Sequence, residues 1–326
     1  MKGFILGAII SFLIGILLLP ICIYFIKRLR ANQSVLGYVE MHKAKDGTPT
    51  MGGLSFLLSV ILSGIVLLRE NSRLASIVIM CFLFYGLIGF FDDFIKVKFK
   101  QNLGLTVTQK VVAQVAIAIA FSVYAYNSSL IGSDILLPFI NVKVDMGIMI
   151  VPFVIVTMIA VVNSVNLIDG LDGLCGGVSS VVLSVLAVVT TFGISVGSDV
   201  YLGEINSLVM VLGMLAGGVM AFLVFNSHPA KIFMGDTGSL AIGGLIASYL
   251  VVTKQELLIL FIGIMYVLTT LSVILQVVSY KLTKKRVFKM APMHHHFEMI
   301  AGENKVVAIY VLITIVVGAM VIFLYL

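Results

Sequence analysis

Charged side chains are scarce in this chain. Lys, Arg, Asp and Glu make up 11% of its 326 residues, and 60% are hydrophobic. Soluble domains are about one-quarter charged and about half apolar, so this balance argues against a water-soluble fold. Cysteine is scarce too. Cys22, Cys81 and Cys175 are far apart and sit in or beside apolar runs, which gives neither a disulfide framework nor a metal-binding spacing. Low-complexity tracts are absent, and no inverted repeat of the kind that marks many transporters is visible. The first apolar run lacks a small-residue cleavage site after it and is too long for a signal-peptide core. It is expected to be an uncleaved span.

The chain does have long apolar runs. Ten of them stand at 3–26, 52–68, 74–91, 107–126, 147–165, 174–196, 205–225, 237–253, 257–280 and 305–326. A bilayer crossing needs about 20 apolar residues, and in lipid only a helix or a closed barrel satisfies its own backbone. The expected architecture is all-α: a polytopic integral membrane protein of about ten transmembrane helices, forming a single domain over 1–326. Residues 135–145 alternate weakly and predict a small hairpin in the loop between the fourth and fifth spans.

A net charge of +6 invites a nucleic-acid partner, but the basic residues crowd into short loops beside apolar runs. Sixteen of the 21 Lys and Arg fall in one set of alternate loops and five in the other. That asymmetry places the richer loops in the cytoplasm and both termini outside. No nucleic acid is expected.

The richer side also carries the unusual polar residues. Asp92 and Asp93 end an apolar run, where two adjacent carboxylates repel each other and lose hydration; a cation or a proton relieves both. They read either as a solvated helix end or as a metal or acid–base site. Asn166, Asp169 and Asp172 are three apart in a glycine-bearing loop without basic residues; on a helix that spacing shares one face. Asp236 sits between glycines before the eighth span, as an N-cap, a metal ligand, or both. His294, His295 and His296 follow Pro292. Their spacing does not suit tetrahedral zinc; they read as donors to phosphate or as a proton relay. Gly47 to Gly53, after His42, Lys43 and Lys45, suits phosphate, although its spacing is not that of a P-loop. A polar line on the ninth span, Thr269, Ser272, Gln276 and Ser279, is expected to bond between helices. Carboxylates with scattered lysines favour Mg²⁺ and a diphosphate, because Mg²⁺ takes oxygen ligands and shares them with substrate phosphates.

Taken together, the runs His42 to Gly53, Asp92–Asp93, Gln101 to Thr106, Asn166 to Gly173, Phe225 to Ser239 and Ala291 to Glu298 resemble the polyprenyl-phosphate N-acetylhexosamine-1-phosphate transferase superfamily, and within it the phospho-N-acetylmuramoyl-pentapeptide transferase family. The resemblance covers nearly the whole chain, in order. It implies a bacterial plasma-membrane enzyme, multi-pass, with its active site on the cytoplasmic face. Its reaction would transfer phospho-N-acetylmuramoyl-pentapeptide from UDP-N-acetylmuramoyl-pentapeptide to undecaprenyl phosphate, giving lipid I and UMP. Mg²⁺, a homodimer and a kinked ninth helix beside a lipid groove are implied as well. By the same resemblance Asp236 would hold Mg²⁺ and Asp92 and Asp93 would serve catalysis. Asn166, Asp169, His294, His295 and His296 would line the polar site. Lys45, Gly170, Leu171, Asp172 and Phe233 would hold the uridine, and Thr50 and Asn226 join the substrate-binding set.

Overall fold

A computed structural model describes residues 1–28, 47–68, 72–99, 103–140, 142–193 and 199–325. His42, Lys43, Lys45, Gln101 and Asn102 lie outside these described residues. The chain runs α1 (Lys2–Arg28), α2 (Gly53–Leu67), α3 (Arg73–Phe99), α4 (Val107–Asn127), β1 (Asp134–Leu137), β2 (Val142–Asp145), α5 (Ile150–Ile168), α6 (Leu174–Phe192), α7 (Asp199–Asn226), α8 (Gly235–Val252), α9 (Ile259–Ile262), α10 (Ile264–Thr283), α11 (Met293–Ala301) and α12 (Glu303–Tyr325).

Among the described residues nine helices are long and apolar enough to cross a membrane. The second predicted span folds as α2, only 15 residues long. It covers the predicted 52–68 except for one residue at each end, and the chain before it is tied down: Phe233 N–H donates to Pro49 O at 2.8 Å, and Gly52 N–H donates back to Phe233 O at 2.8 Å. The ninth predicted span breaks at Gly263 into α9 and α10, so the expected kink is present. The predicted hairpin also forms, with Asp134 opposite Asp145 and Leu137 opposite Val142. Large apolar side chains face outward around the bundle; Leu17 is 70% and Phe323 81% exposed. A rim of that kind matches hydrocarbon rather than water.

Helix α8 is the hub. It is buried all round and packs against α2, α3 and α5. Helices in lipid gain little from the hydrophobic effect against one another and rely on close backbone approach at small residues. Gly89 supplies that approach for α3: a β-carbon there would collide with the backbone of Asp236 and Thr237. One turn later α3 presents Asp92 and Asp93. The α3–α8 contact therefore sets where the three carboxylates meet. Eighteen residues of α8 carry the chain ~27 Å at 1.5 Å per residue, from these carboxylates to the hairpin end. There Leu136 N–H donates to Lys254 O and Lys254 Nζ pairs with Asp134 at 3.3 Å.

At that second end Glu256 is buried, and its Oε2 has no hydrogen-bond partner. Burial pushes its carboxyl up to about 8 from an ordinary 4.5, with Lys254 opposing weakly. Between those values the folded chain keeps a proton that the unfolded chain has released, so stability falls as pH rises through that window. The thermal midpoint in detergent is accordingly expected to fall between about pH 5 and about pH 8, with a flatter profile in Glu256→Gln; equal slopes would remove this account. Gly89→Ala is expected to cost on the order of 1–3 kcal/mol by overpacking, read as a lowered midpoint. Gly64→Ala, where a β-carbon meets only side-chain methyls, of Ile79 at 3.3 Å and Leu68 at 3.8 Å, should leave the midpoint near that of the parent.

Candidate active site

Three carboxylates meet at the end of the bundle where α3 stops and α8 starts. Asp92 and Asp93 are 3% and 2% exposed, and Asp236 lies in the first turn of α8. One oxygen of each can be chosen so that all lie within 4.8 Å of one another. Their partners differ. Asp93 accepts Asp236 N–H at 3.2 Å, Thr237 N–H at 2.9 Å and the Thr237 hydroxyl at 2.7 Å. The two amides are free donors of a helix start. The cap of α8 is therefore Asp93 from another helix; the capping role considered for Asp236 does not fall to it. Asp92 Oδ1 accepts Leu105 N–H at 2.9 Å, while its Oδ2 faces the Lys96 ammonium. Asp236 Oδ1 accepts the Asn166 amide at 2.8 Å, and Asp236 Oδ2 receives Lys110 at 2.7 Å and Lys96 at 3.1 Å.

Lys96 and Lys110 were not singled out from the sequence. A signal existed for Lys96, since Asp92 and Lys96 stand i, i+4 on one helix. None existed for Lys110. Its place comes from α4, whose start is fixed by a capping box: Thr106 Oγ1 accepts Gln109 N–H, and Gln109 Oε1 accepts Thr106 N–H. Ser239 joins them, its hydroxyl accepting from the Asn166 amide at 2.8 Å.

Asp169 ends α5. Burial and the facing charges of Asp236, Asp93 and Asp172 hold its carboxyl well above the usual range, so it belongs to the same electrostatic cluster. Next to it Gly170 lies flat against α11; a β-carbon there would strike the His294 and His295 rings. The three histidines splay around α11. His294 is fully buried with both ring nitrogens unpartnered, and burial, helped by His295, lowers its pKa to about 3. It is a neutral imidazole at physiological pH, not a cation for phosphate. His295 Nδ1 lies 3.0 Å from Glu298. His296 turns away and accepts Lys289 N–H at 3.2 Å, so it serves the 284–292 loop. Three members of the polar line on α10 have a similar use. Gln276 accepts Val287 and Phe288 N–H, Ser279 donates to Lys285 O, and Ser272 accepts Met293 N–H. At Gln276 and Ser279 the expected helix–helix bonds give way to bonds that fold this loop back onto α10, because loop amides need partners first, while Ser272 bonds the first residue of α11.

A second group forms beside the first. Asp172 Oδ2 accepts Ala230 N–H at 3.0 Å and meets His228 Nδ1 at 3.2 Å; His228 also meets Glu303 at 3.1 Å. Asn226 accepts Gly173 N–H at 3.0 Å and donates to Ile232 O at 2.9 Å, which locks the Asp172 loop to the segment leading into Phe233. Leu171 and Thr50 are buried, and Phe233 is half-buried. An open groove of about 720 Å³ runs from Asp172 and His228 along the apolar face of α12.

The donors at the three-carboxylate cluster are all oxygens, which suits Mg²⁺, and among the described residues the buried Asp92 Oδ2 has only the Lys96 ammonium for a partner. Asp93 is the poorest ligand of the three, since its oxygens carry three donors from the start of α8, two of them backbone amides that cannot move away as a lysine side chain can. The residues present fit such an ion through Asp236 and Asp92.

Residues 75–254, more than half of the chain, match Glycosyl transferase family 4. The phospho-N-acetylmuramoyl-pentapeptide-transferase of Thermoanaerobacter sp. (strain X514) is 40% identical over 318 residues, covering 97% of this chain and 96% of that protein. The protein of the same name from Caldicellulosiruptor bescii is 43% identical over 313 residues, 95% and 94% of the two chains. That of Halalkalibacterium halodurans is 41% identical over 298 residues, 90% and 88%. The conjunction of an acid cluster at the end of an apolar helical bundle with this similarity along almost its whole length means that the chain belongs to Glycosyl transferase family 4, among the phospho-N-acetylmuramoyl-pentapeptide-transferases.

Proposed function

We propose that the chain transfers phospho-N-acetylmuramoyl-pentapeptide from its UDP carrier to undecaprenyl phosphate, releasing UMP and forming lipid I, the first membrane step of peptidoglycan synthesis. The observation that carries this reading is the meeting of Asp92, Asp93 and Asp236 with two lysines at one end of an apolar bundle. A diphosphate needs that arrangement, and a prenyl acceptor needs that location. The 16-to-5 division of basic residues supports a cytoplasmic site, both termini outside and a home in the bacterial plasma membrane. One catalytic domain spanning 1–326 and a homodimer complete the reading.

In this mechanism an oxygen of the lipid phosphate attacks the sugar-linked phosphorus while UMP leaves. Asp236, with Asp92, would hold Mg²⁺, which when bound neutralises the diphosphate and the departing UMP. Asp92 accepts any proton remaining on the lipid phosphate. Asp93 positions Asp236 by holding the first amides of α8. A carboxylate with three donors on it is a poor nucleophile, which favours direct attack over an acyl-phosphate on Asp93. His294, neutral and enclosed against Gly170, offers one donor and one acceptor to the sugar-phosphate. Asp172, Leu171 and Gly170 hold the uracil on a loop braced by Asn226 and Glu303, and the Phe233 ring stacks on it; Lys45 and Thr50 border the nucleotide in the same reading.

A radiolabelled transfer assay in detergent, with and without Mg²⁺, tests the reaction. UDP-N-acetylmuramoyl-pentapeptide should give labelled lipid where UDP-N-acetylglucosamine gives none; the opposite preference would reassign the sugar. Asp236→Asn should cut turnover ~10²–10³-fold, the scale seen when one charge-stabilising group is lost, while the variant still elutes as a folded particle. Near-normal turnover would remove the metal assignment. Phe233→Ala should weaken UMP binding about tenfold, given that base–aromatic stacking is worth about 1–3 kcal/mol, as measured by calorimetry. Unchanged affinity would refute the stacking role.

A further inference from the structure

Lys96 stands in an unusual position. Its ammonium pairs with Asp92 Oδ2 and lies 3.1 Å from Asp236 Oδ2 and 3.9 Å from Asp93 Oδ1. It therefore occupies the oxygens of Asp92 and Asp236 that a divalent ion held by those two residues has to take. Lys110 also reaches Asp236 Oδ2, at 2.7 Å, and Asp236 Oδ1 is given to Asn166. Three carboxylates facing two ammoniums are nearly balanced. Adding a dication without moving an ammonium would crowd three cationic centres onto two oxygens, and like charges a few ångströms apart repel strongly when partly desolvated.

Of the two lysines, Lys96 is the one free to leave. Its side chain is 32% exposed against 18% for Lys110. It hangs from the last two turns of α3 on a four-carbon stem, whereas Lys110 follows directly on the capping box that fixes α4. A lysine is a mobile point charge suited to such a change of partner.

We propose that Lys96 is an exchangeable counter-ion. It holds Asp92 and Asp236 in register, yields those oxygens to the divalent cation, and turns its ammonium to the anionic diphosphate. The proposal rests on the Mg²⁺ reading above and adds to it a competition within the chain. Two consequences follow. Lys96 lowers the metal affinity of the enzyme before nucleotide arrives. A diphosphate, by drawing Lys96 off, raises that affinity, so metal and donor bind together better than either binds alone.

The test is Mn²⁺ binding to the full-length protein in detergent, followed by electron paramagnetic resonance or calorimetry, with Mn²⁺ alone and with Mn²⁺ plus UDP. Lys96→Met should bind Mn²⁺ on the order of tenfold more tightly than the parent, as expected from removing one nearby cation at partial screening. It should gain less from UDP and be slower in transfer. Lys96→Gln, which also lacks the charge, should show the same tightening if Lys96→Met does not fold. Lys96→Arg should stay near the parent. Asp236→Asn separates the two layers. If Asp236→Asn loses Mn²⁺ but both neutral Lys96 variants bind it no better than the parent, the exchange is wrong and the metal site stands. If Asp236→Asn binds Mn²⁺ as the parent does, the metal reading fails and takes the exchange with it.

Discussion

The contact between α3 and α8 governs the rest of the molecule. Helices surrounded by lipid have no solvent to drive them together, so their approach depends on surface shape. Gly89 removes the side chain that would hold α3 away from Asp236 and Thr237. Asp93, one turn further along, then closes on the exposed amides of α8 at 2.9 and 3.2 Å. The bond is structural and chemical at once. It satisfies a helix start that would otherwise be buried without partners, and in doing so it fixes the first-turn residue Asp236 beside Asp92.

That placement creates an electrostatic problem which the remaining polar residues answer. Two unit charges ~4 Å apart interact by about 4 kcal/mol at an effective dielectric near 20, and here three carboxylates gather, with Asp169 adding to the same field. Lys96 and Lys110 come from different helices to offset them, and Asn166 adds a neutral donor. A cluster of this kind is poised for a cation and for anionic phosphates alike. The Asp172–His228–Glu303 group shows the contrasting case. Its carboxylates accept backbone amides of the loops around them, so much of its charge is used in holding those loops.

The helices were legible in the sequence because each apolar run must pay for its own backbone with internal hydrogen bonds, and length then decides what crosses. Hydropathy marked the second run at 52–68 but not how its start is held: Gly52 and Gly53 donate to Phe233 O and Met234 O, which ties the head of α2 to the segment before α8. The acids were legible too, since Asp92, Asp93, Asp169 and Asp236 are conspicuous against so apolar a background. Their division of labour was not. Nothing local marks Asp93 as the cap of a helix that begins 142 residues later, because tertiary approach alone brings the two together. Lys110 was hidden for the same reason. The histidine run was conspicuous too, but not the direction each ring takes: α11 turns His294 inward, His295 toward Glu298 and His296 out to the Lys289 amide.

A prenyl phosphate and a nucleotide sugar differ so much in solubility that one site can serve both only at a boundary, and the bundle builds its boundary from helix ends. At its start α8 must have donors capped, and Asp93 caps them. At its end α5 passes into the Asp169 loop, whose carboxyl is held above the usual range by burial and by the charges of Asp236 and Asp93. The end of α3 carries Lys96, whose charge suits the acidic side of a helix C-terminus as well as the carboxylates it meets. Each polar group is thus placed by an obligation of the helix to which it belongs, and transferase chemistry uses groups that the fold has already brought to the membrane surface.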